Sequence, residues 1–260
     1  QEGGSDMKSL VHRTVYFWFV LGLLLPSRVL AVDARELVQG AWDQFRGLAS
    51  KSEVSMTIHR PDWERTLTMK AWTKGRSKSL IRILAPAKDR GNGTLKKKND
   101  MWTYNPRINR VIKLPPSMMA QSWMGSDFSN NDLAKSDSIL DDYTHSITGT
   151  ENRDGKTVYL LEAVPKPGAP VVWGMQRLKI REDFILLSEE FLDEELRPVK
   201  IMTTSDIQVM DGRLFPKVWI MKKTGQEKAY TSLNHHRVEF LDDLPDRFFT
   251  LRRLRSPAGR

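Results

Sequence analysis

The sequence has 260 residues, 41 Lys and Arg against 32 Asp and Glu, a net charge of +9 and 40% hydrophobic residues. That apolar share excludes an intrinsically disordered or collagen-like chain, and the length fits one large domain better than two. No cysteine is present, which excludes a disulfide scaffold, a Cys-ligated zinc or iron–sulfur site, a thiol nucleophile and a Cys-anchored lipid tail.

The first segment reads as an address. Gln1 to Asp6 precede Met7 and are taken as a non-native start. Lys8 and Arg13 then form a basic region, Val15 to Leu25 carries no charge, and Val29-Leu30-Ala31 offers a small-residue cleavage pattern. As a helix the uncharged run would cover about 16 Å, roughly half a bilayer core. Residues 1–31 are therefore expected to end in a secretory signal peptide rather than a membrane anchor. Export to the periplasm as a soluble chain beginning at Val32 follows.

Leu37, Val38, Ala41, Trp42, Phe45 and Leu48 recur every three or four residues, which predicts an amphipathic helix started by Asp33 and Glu36. After Ser50 the period drops to two. Val54, Met56 and Ile58 alternate with Ser and Thr, as do Leu67, Met69 and Ala71 with Thr and Lys. Short strand-like runs continue over 77–85, 93–98, 100–105, 107–114, 142–150, 156–164, 172–182, 184–192, 197–209, 214–223 and 226–240. Turn signals such as Lys74-Gly75, Asp154-Gly155, Asp211-Gly212 and Thr224-Gly225 separate them. The expected fold is mainly β with helices: an antiparallel meander forming a strongly curved sheet or barrel rather than a flat one.

Pro115 to Asp137 interrupts the alternation. Its apolar residues are Met118, Met119, Trp123, Met124, Phe128 and Leu133, and Gly125-Ser126 divides it. Two short helices inserted between strands are expected, with the shape of a lid. Methionine adapts its shape to irregular apolar surfaces, so Met118, Met119, Trp123 and Met124 point to a movable cover over an apolar cavity. Phe248, Phe249, Leu251 and Leu254 predict a short C-terminal helix, with Ser256 to Arg260 as a tail. Residues 32–255 are expected to form a single domain.

Catalytic motifs are absent: the sequence has no H-E-x-x-H, no Gly-x-Ser-x-Gly, no phosphate-binding Gly-Lys-Ser/Thr loop and no dinucleotide-binding glycine pattern. His235-His236 falls in a strand, so its rings point to opposite faces, a poor chelate that reads as an ordinary surface pair. The acidic pairs Glu189-Glu190, Glu194-Glu195, Asp141-Asp142 and Asp242-Asp243 mostly flank turns and read as solvated. Lys96-Lys97-Lys98 reads as a strand edge blunted by lysines. No enzyme, metal or cofactor is expected. Nucleic acid is not expected to meet an exported chain, and contact with anionic lipid headgroups would be transient.

Met101-Trp102-Thr103-Tyr104-Asn105-Pro106, Arg107 to Leu114, and Met124-Gly125-Ser126-Asp127-Phe128-Ser129 together resemble the LolA-like outer-membrane lipoprotein-sorting family. Leu80-Ile81-Arg82-Ile83-Leu84-Ala85-Pro86 and Leu244-Pro245-Asp246-Arg247-Phe248-Phe249 fit the same pattern. The resemblance implies an open, incomplete antiparallel β-barrel covered by an N-terminal helix and a helical lid. It also implies a periplasmic carrier that shelters acyl chains for transfer towards the outer membrane. On this pattern Arg82 would latch the lid shut. The expected cavity residues are Met56, Ile58, Leu67, Met69, Ile81, Ile83, Trp102, Met118, Met119, Trp123, Met124 and Phe128. Ile83 stands where an aromatic residue is expected, and the lid is Met-rich with an acidic Asp127. These departures bring the chain towards the branch associated with inner-membrane lipid exporters, so the cargo is lipoprotein or free lipid. The expected partners are an inner-membrane exporter and an outer-membrane acceptor. The alternative is a lipid- or lipoprotein-sensing module acting on an inner-membrane partner.

Overall fold

The helix α1 (Ala34–Arg46) begins where Asp33 accepts a hydrogen bond from Arg35 N, and it ends at Gly47, whose φ is 62°. Leu37, Val38, Ala41 and Trp42 are buried along one face, and each large side chain contributes about 1.5–3 kcal/mol. The structure is a computed structural model and describes residues 32–256. Residues 1–31, with the expected signal peptide, and 257–260 of the tail lie outside the described residues. No helix among the described residues is long and apolar enough to cross a membrane.

Alternating sequence then produces six strands: β1 (Ala49–Arg60), β2 (Trp63–Lys74), β3 (Lys78–Ala85), β4 (Gly93–Lys97), β5 (Asp100–Asn105) and β6 (Arg110–Lys113). The segment 114–142 follows, holding α2 (Asn130–Ala134) and α3 (Ser138–Asp142). Seven more strands complete the sheet: β7 (Tyr143–Arg153), β8 (Lys156–Pro165), β9 (Met175–Arg181), β10 (Leu186–Leu192), β11 (Pro198–Met210), β12 (Arg213–Lys223) and β13 (Tyr230–Leu241). Asp154-Gly155 and Asp211-Gly212 both have positive φ at the two positions, as tight hairpin turns between right-twisted strands require.

The thirteen strands form one antiparallel sheet in the order β6-β5-β4-β3-β2-β1-β13-β12-β11-β10-β9-β8-β7. Every neighbour in space is a neighbour in sequence except the pair β1 and β13. The sheet is an open barrel, and its two free edges are β6 and β7. These are consecutive along the chain, so 114–142 straps one edge to the other.

The strap is less helical than its sequence suggests. Two single 3₁₀ turns, Pro116–Met118 and Trp123–Gly125, come first. Consecutive prolines remove backbone donors there, and Met124 and Gly125 adopt φ of 55° and 79°, which no helix accommodates. Regular helix begins only at Ser129, where the side chain caps Asp132 N and the Asp132 carboxylate accepts from Ser129 N.

The two faces of the sheet carry different cores. The concave face is buried beneath α1 and the strap. Against the convex face pack Leu244, Phe249 and Leu254 from the C-terminal segment and α4 (Leu251–Arg255), meeting Leu80, Leu95 and Trp102.

Candidate functional site

A cavity of about 320 Å³ lies on the concave face, at the small end of the ~300–1,000 Å³ typical of ligand sites. Trp42 and Phe45 of α1 form one wall, and Val54, Met69 and Ile81 of β1–β3 another. Leu186, Phe191, Met202, Trp219, Met221 and Leu233 form the floor, and Trp123, Phe128 and Leu133 of the strap the roof. Phe45 sits edge-on to Trp219 with ring centroids 5.2 Å apart. Wide alkyl and aromatic surfaces meeting around a void exclude water and offer dispersion contacts to an apolar chain.

Polar groups interrupt this lining, Arg46, Lys96, Asp132, Gln176, Glu189 and His235 among them, and a β-bulge explains one of them. Leu186 pairs with Ile180 but Ser188 pairs with Lys179, leaving Leu187 as an extra residue. The bulge reverses the face, so Leu186, Glu189 and Phe191 all reach the cavity, while Leu187 packs in a separate cluster. Glu189 is 6% exposed. Burial, reinforced by the negative charge of Asp132, pushes its carboxyl up to about 8, against the pull of Lys200. Lys200 Nζ is bonded to Asp132 Oδ2 and lies 4.9 Å from the Trp173 ring centroid and 5.1 Å from that of Phe191. His235 also lines the cavity, and its Nδ1 donates to Lys217 O across 3.1 Å. Burial lowers it to about 4.

Three aspartates tie the strap to the barrel. Arg60, at the end of β1, donates to both Asp127 oxygens at 3.1 and 3.0 Å. Thr231 Oγ1 of β13 donates to the same carboxylate at 2.7 Å and accepts from Asp127 N at 3.0 Å. Asp132 pairs with Lys200 of β11. Asp137 accepts from Lys96 of β4 at 2.8 Å and lies 3.2 Å from Arg46 of α1. Trp123 Nε1 donates to Thr94 Oγ1, and Trp42 Nε1 donates to Ser136 O.

An open β-barrel with a strapped apolar hollow can be compared with known proteins. A model of a family of uncharacterised proteins matches residues 75–256. A DUF1329 family protein from Desulfovibrio piger is 26% identical with a TM-score of 0.77, covering 85% of this chain and 97% of that one. The chain belongs to the family that the matching model describes. A LolA superfamily protein from Nitrosomonas europaea has a TM-score of 0.72 at 23% identity, covering 86% of this chain and 100% of that one. An outer-membrane lipoprotein-sorting protein domain from Vibrio parahaemolyticus has 0.74 at 20% identity, covering 86% and 98%. These two share the fold. No curated protein matches the sequence.

The structure distributes the residues expected from the LolA-like pattern over three places. Met69, Ile81, Trp123 and Phe128 border the void. Met56, Ile58, Leu67 and Ile83 face the same interior, but in a packed cluster against which Met118, Met119 and Met124 rest. Trp102 is a correction: it lies in the cluster beneath the C-terminal segment, because Met101 takes the inward position on β5. Arg82 is a second correction. It alternates with Ile81 and Ile83, so it leaves the concave side and donates to Gly91 O at 3.3 Å and Arg253 O at 2.7 Å. The arginine that bonds Asp127 of the strap is Arg60.

Three polar readings also change. Glu189 is buried, whereas Glu190 faces Arg177 at 3.6 Å. Lys96 is 4% exposed rather than an edge lysine. His235 turns to the cavity and His236 to Ser55 Oγ. Opposite faces follow from strand alternation; the burial does not, because α1 and the strap that supply it come from distant sequence.

Proposed function

We propose that this chain is a periplasmic carrier that shelters acyl chains of lipoproteins or lipids and passes them towards the outer membrane. The observation that supports this reading is the 320 Å³ apolar cavity under a segment strapped across the open side of the sheet. Exposing one methylene to water costs about 0.8 kcal/mol, so a single long chain forfeits on the order of 10 kcal/mol outside a membrane. A carrier must remove much of that cost and still release its load. A soft lining with one detachable cover suits both demands, since adaptable side chains bind many tails without gripping one. The cargo is loaded by an inner-membrane lipid exporter and taken up by an outer-membrane acceptor. No covalent step is involved.

The test is mass spectrometry of lipids that co-purify with protein exported from its natural host, followed by transfer of a labelled acyl lipid between donor and acceptor vesicles. Acyl lipid in the purified protein and faster transfer are expected. Protein that retains no lipid and displaces no acyl probe would remove the reading. Binding without transfer, together with capture of an inner-membrane protein's periplasmic domain, would favour the sensing module instead.

A further inference from the structure

We propose that Arg46 and Lys96 make one end of the cavity a subsite for the anionic headgroup of a single-chain lipid, a carboxylate or a phosphate, with the acyl tail lying towards Val54 and Met69. The inference deepens the carrier reading and rests on it. The lining changes character in register along the strands. Ser50, Thr73, Ser79 and Lys96 pair in turn across β1 to β4, and all four line the cavity. Two residues further along, the lining row is Ser52, Ala71 and Ile81, and two beyond that it is Val54 and Met69. Hydroxyls and a cation give way to alkyl groups over about 13 Å of strand. The polar row is not a wetted rim, since Ser50 is 7% exposed and Lys96 4%.

The charges at this end do not balance. Arg46, the last residue of α1, and Lys96 share Asp137: Arg46 Nη2 lies 3.2 Å from Asp137 Oδ1, and Lys96 Nζ donates to Oδ2 at 2.8 Å. Both cations line the cavity, and the carboxylate between them does not. Arg76, which also acts on Arg46, is already paired with Asp141 at 3.0 Å. Two largely buried cations on one carboxylate leave an excess of one positive charge, and burial outweighs the pull of Asp137 to lower both groups. An uncompensated buried charge is costly, and an anion supplied from the cavity relieves it. Donors are open to that anion. Lys96 Nζ has three N–H groups and spends two, on Asp137 and on Arg76 O at 3.0 Å. Arg46 Nη2 donates to Ser136 Oγ at 2.7 Å, whereas Nη1 is accessible and donates to no described residue. Of the other charged groups on the lining, Lys135 donates to Pro170 O, Asp132 pairs with Lys200, and Glu189 stands on β10.

The experiment measures displacement of an uncharged fluorescent acyl probe from the intact protein by ligands of one chain length: sodium palmitate, hexadecyl phosphate, methyl palmitate and hexadecyltrimethylammonium. The two anions are expected to compete at about tenfold lower concentration than the ester, the ratio of one charge-assisted hydrogen bond. The ammonium ligand should compete less well than the ester, and inorganic phosphate alone should displace nothing. Lys96→Met, which leaves Arg46 and Asp137 as a balanced pair, loses the anion preference while still binding the probe. Asp137→Asn, which removes the shared carboxylate, enlarges it. Equal competition by anionic and neutral ligands in the unaltered protein, preference for the ammonium ligand, displacement by inorganic phosphate alone, or an intact anion preference in Lys96→Met would overturn the headgroup subsite and leave the carrier reading standing. Failure of every acyl ligand to compete would overturn both.

Discussion

Two side chains on the cavity wall, Glu189 and His235, titrate in opposite senses. Glu189 is raised from 4.5 to about 8, so the folded protein holds a proton there that the unfolded chain has released. Its contribution is full below pH 4.5 and is lost as pH rises towards 8. His235 is lowered from 6.5 to about 4, so its contribution is present above pH 6.5 and is lost as pH falls towards 4. Each acts with a slope of about 1.4 kcal/mol per pH unit. Between pH 4.5 and 6.5 the two cancel, and from 6.5 to 8 only the Glu189 loss remains. Urea denaturation across this range should therefore show its steepest decline above pH 6.5, and Glu189→Gln should flatten it; an equally steep decline in the variant would exclude Glu189 as its source. Neither residue was legible as a cavity group. Glu189-Glu190 looks like a solvated pair because alternation says nothing of an extra residue at Leu187, and the bulge decides which acid turns inward.

At the scale of the strap, the break in regular alternation was readable in sequence, but of Met118, Met119, Trp123 and Met124 only Trp123 borders the cavity, while the three methionines rest on a packed cluster. The strap's fastenings were not readable, since Asp127 meets Arg60 from 67 residues away and Thr231 from 104. Asp127→Asn should weaken the latch and speed exchange of an acyl probe in stopped-flow fluorescence. The cost in stability should be about 2–3 kcal/mol. That is below the ~3–5 of a fully buried broken pair because Arg60 retains 20% of its side-chain exposure. Unchanged exchange would mean that this tie does not limit opening. Trp123→Ala with Met124→Ala should weaken probe binding several-fold, as one variant removes roof surface and the Thr94 hydrogen bond together. Arg82→Leu should leave probe exchange unchanged and lower the melting temperature, since Arg82 holds the C-terminal segment rather than the strap.

For the whole molecule, strands and tight turns were legible almost one by one, because period-two patterning and Gly-containing turns are local signals. The pairing of β1 with β13 and the identity of the free edges were not, because nothing in a local pattern says where a curved sheet is left unsealed. The cysteine-free background allows a direct test of the strap. Asp127→Cys with Thr231→Cys joins positions already in hydrogen-bond contact. Oxidation should block loading of the acyl probe, and reduction should restore it; free loading in the oxidised state would show that chains enter by another route.

The order of the strands has a mechanical consequence. β1–β6 and β7–β13 are two shells that share a single ladder, β1 against β13, directly opposite the slit closed by residues 114–142. With that buckle unfastened, no ladder joins β6 to β7, so the slit can widen without parting any pair of neighbouring strands.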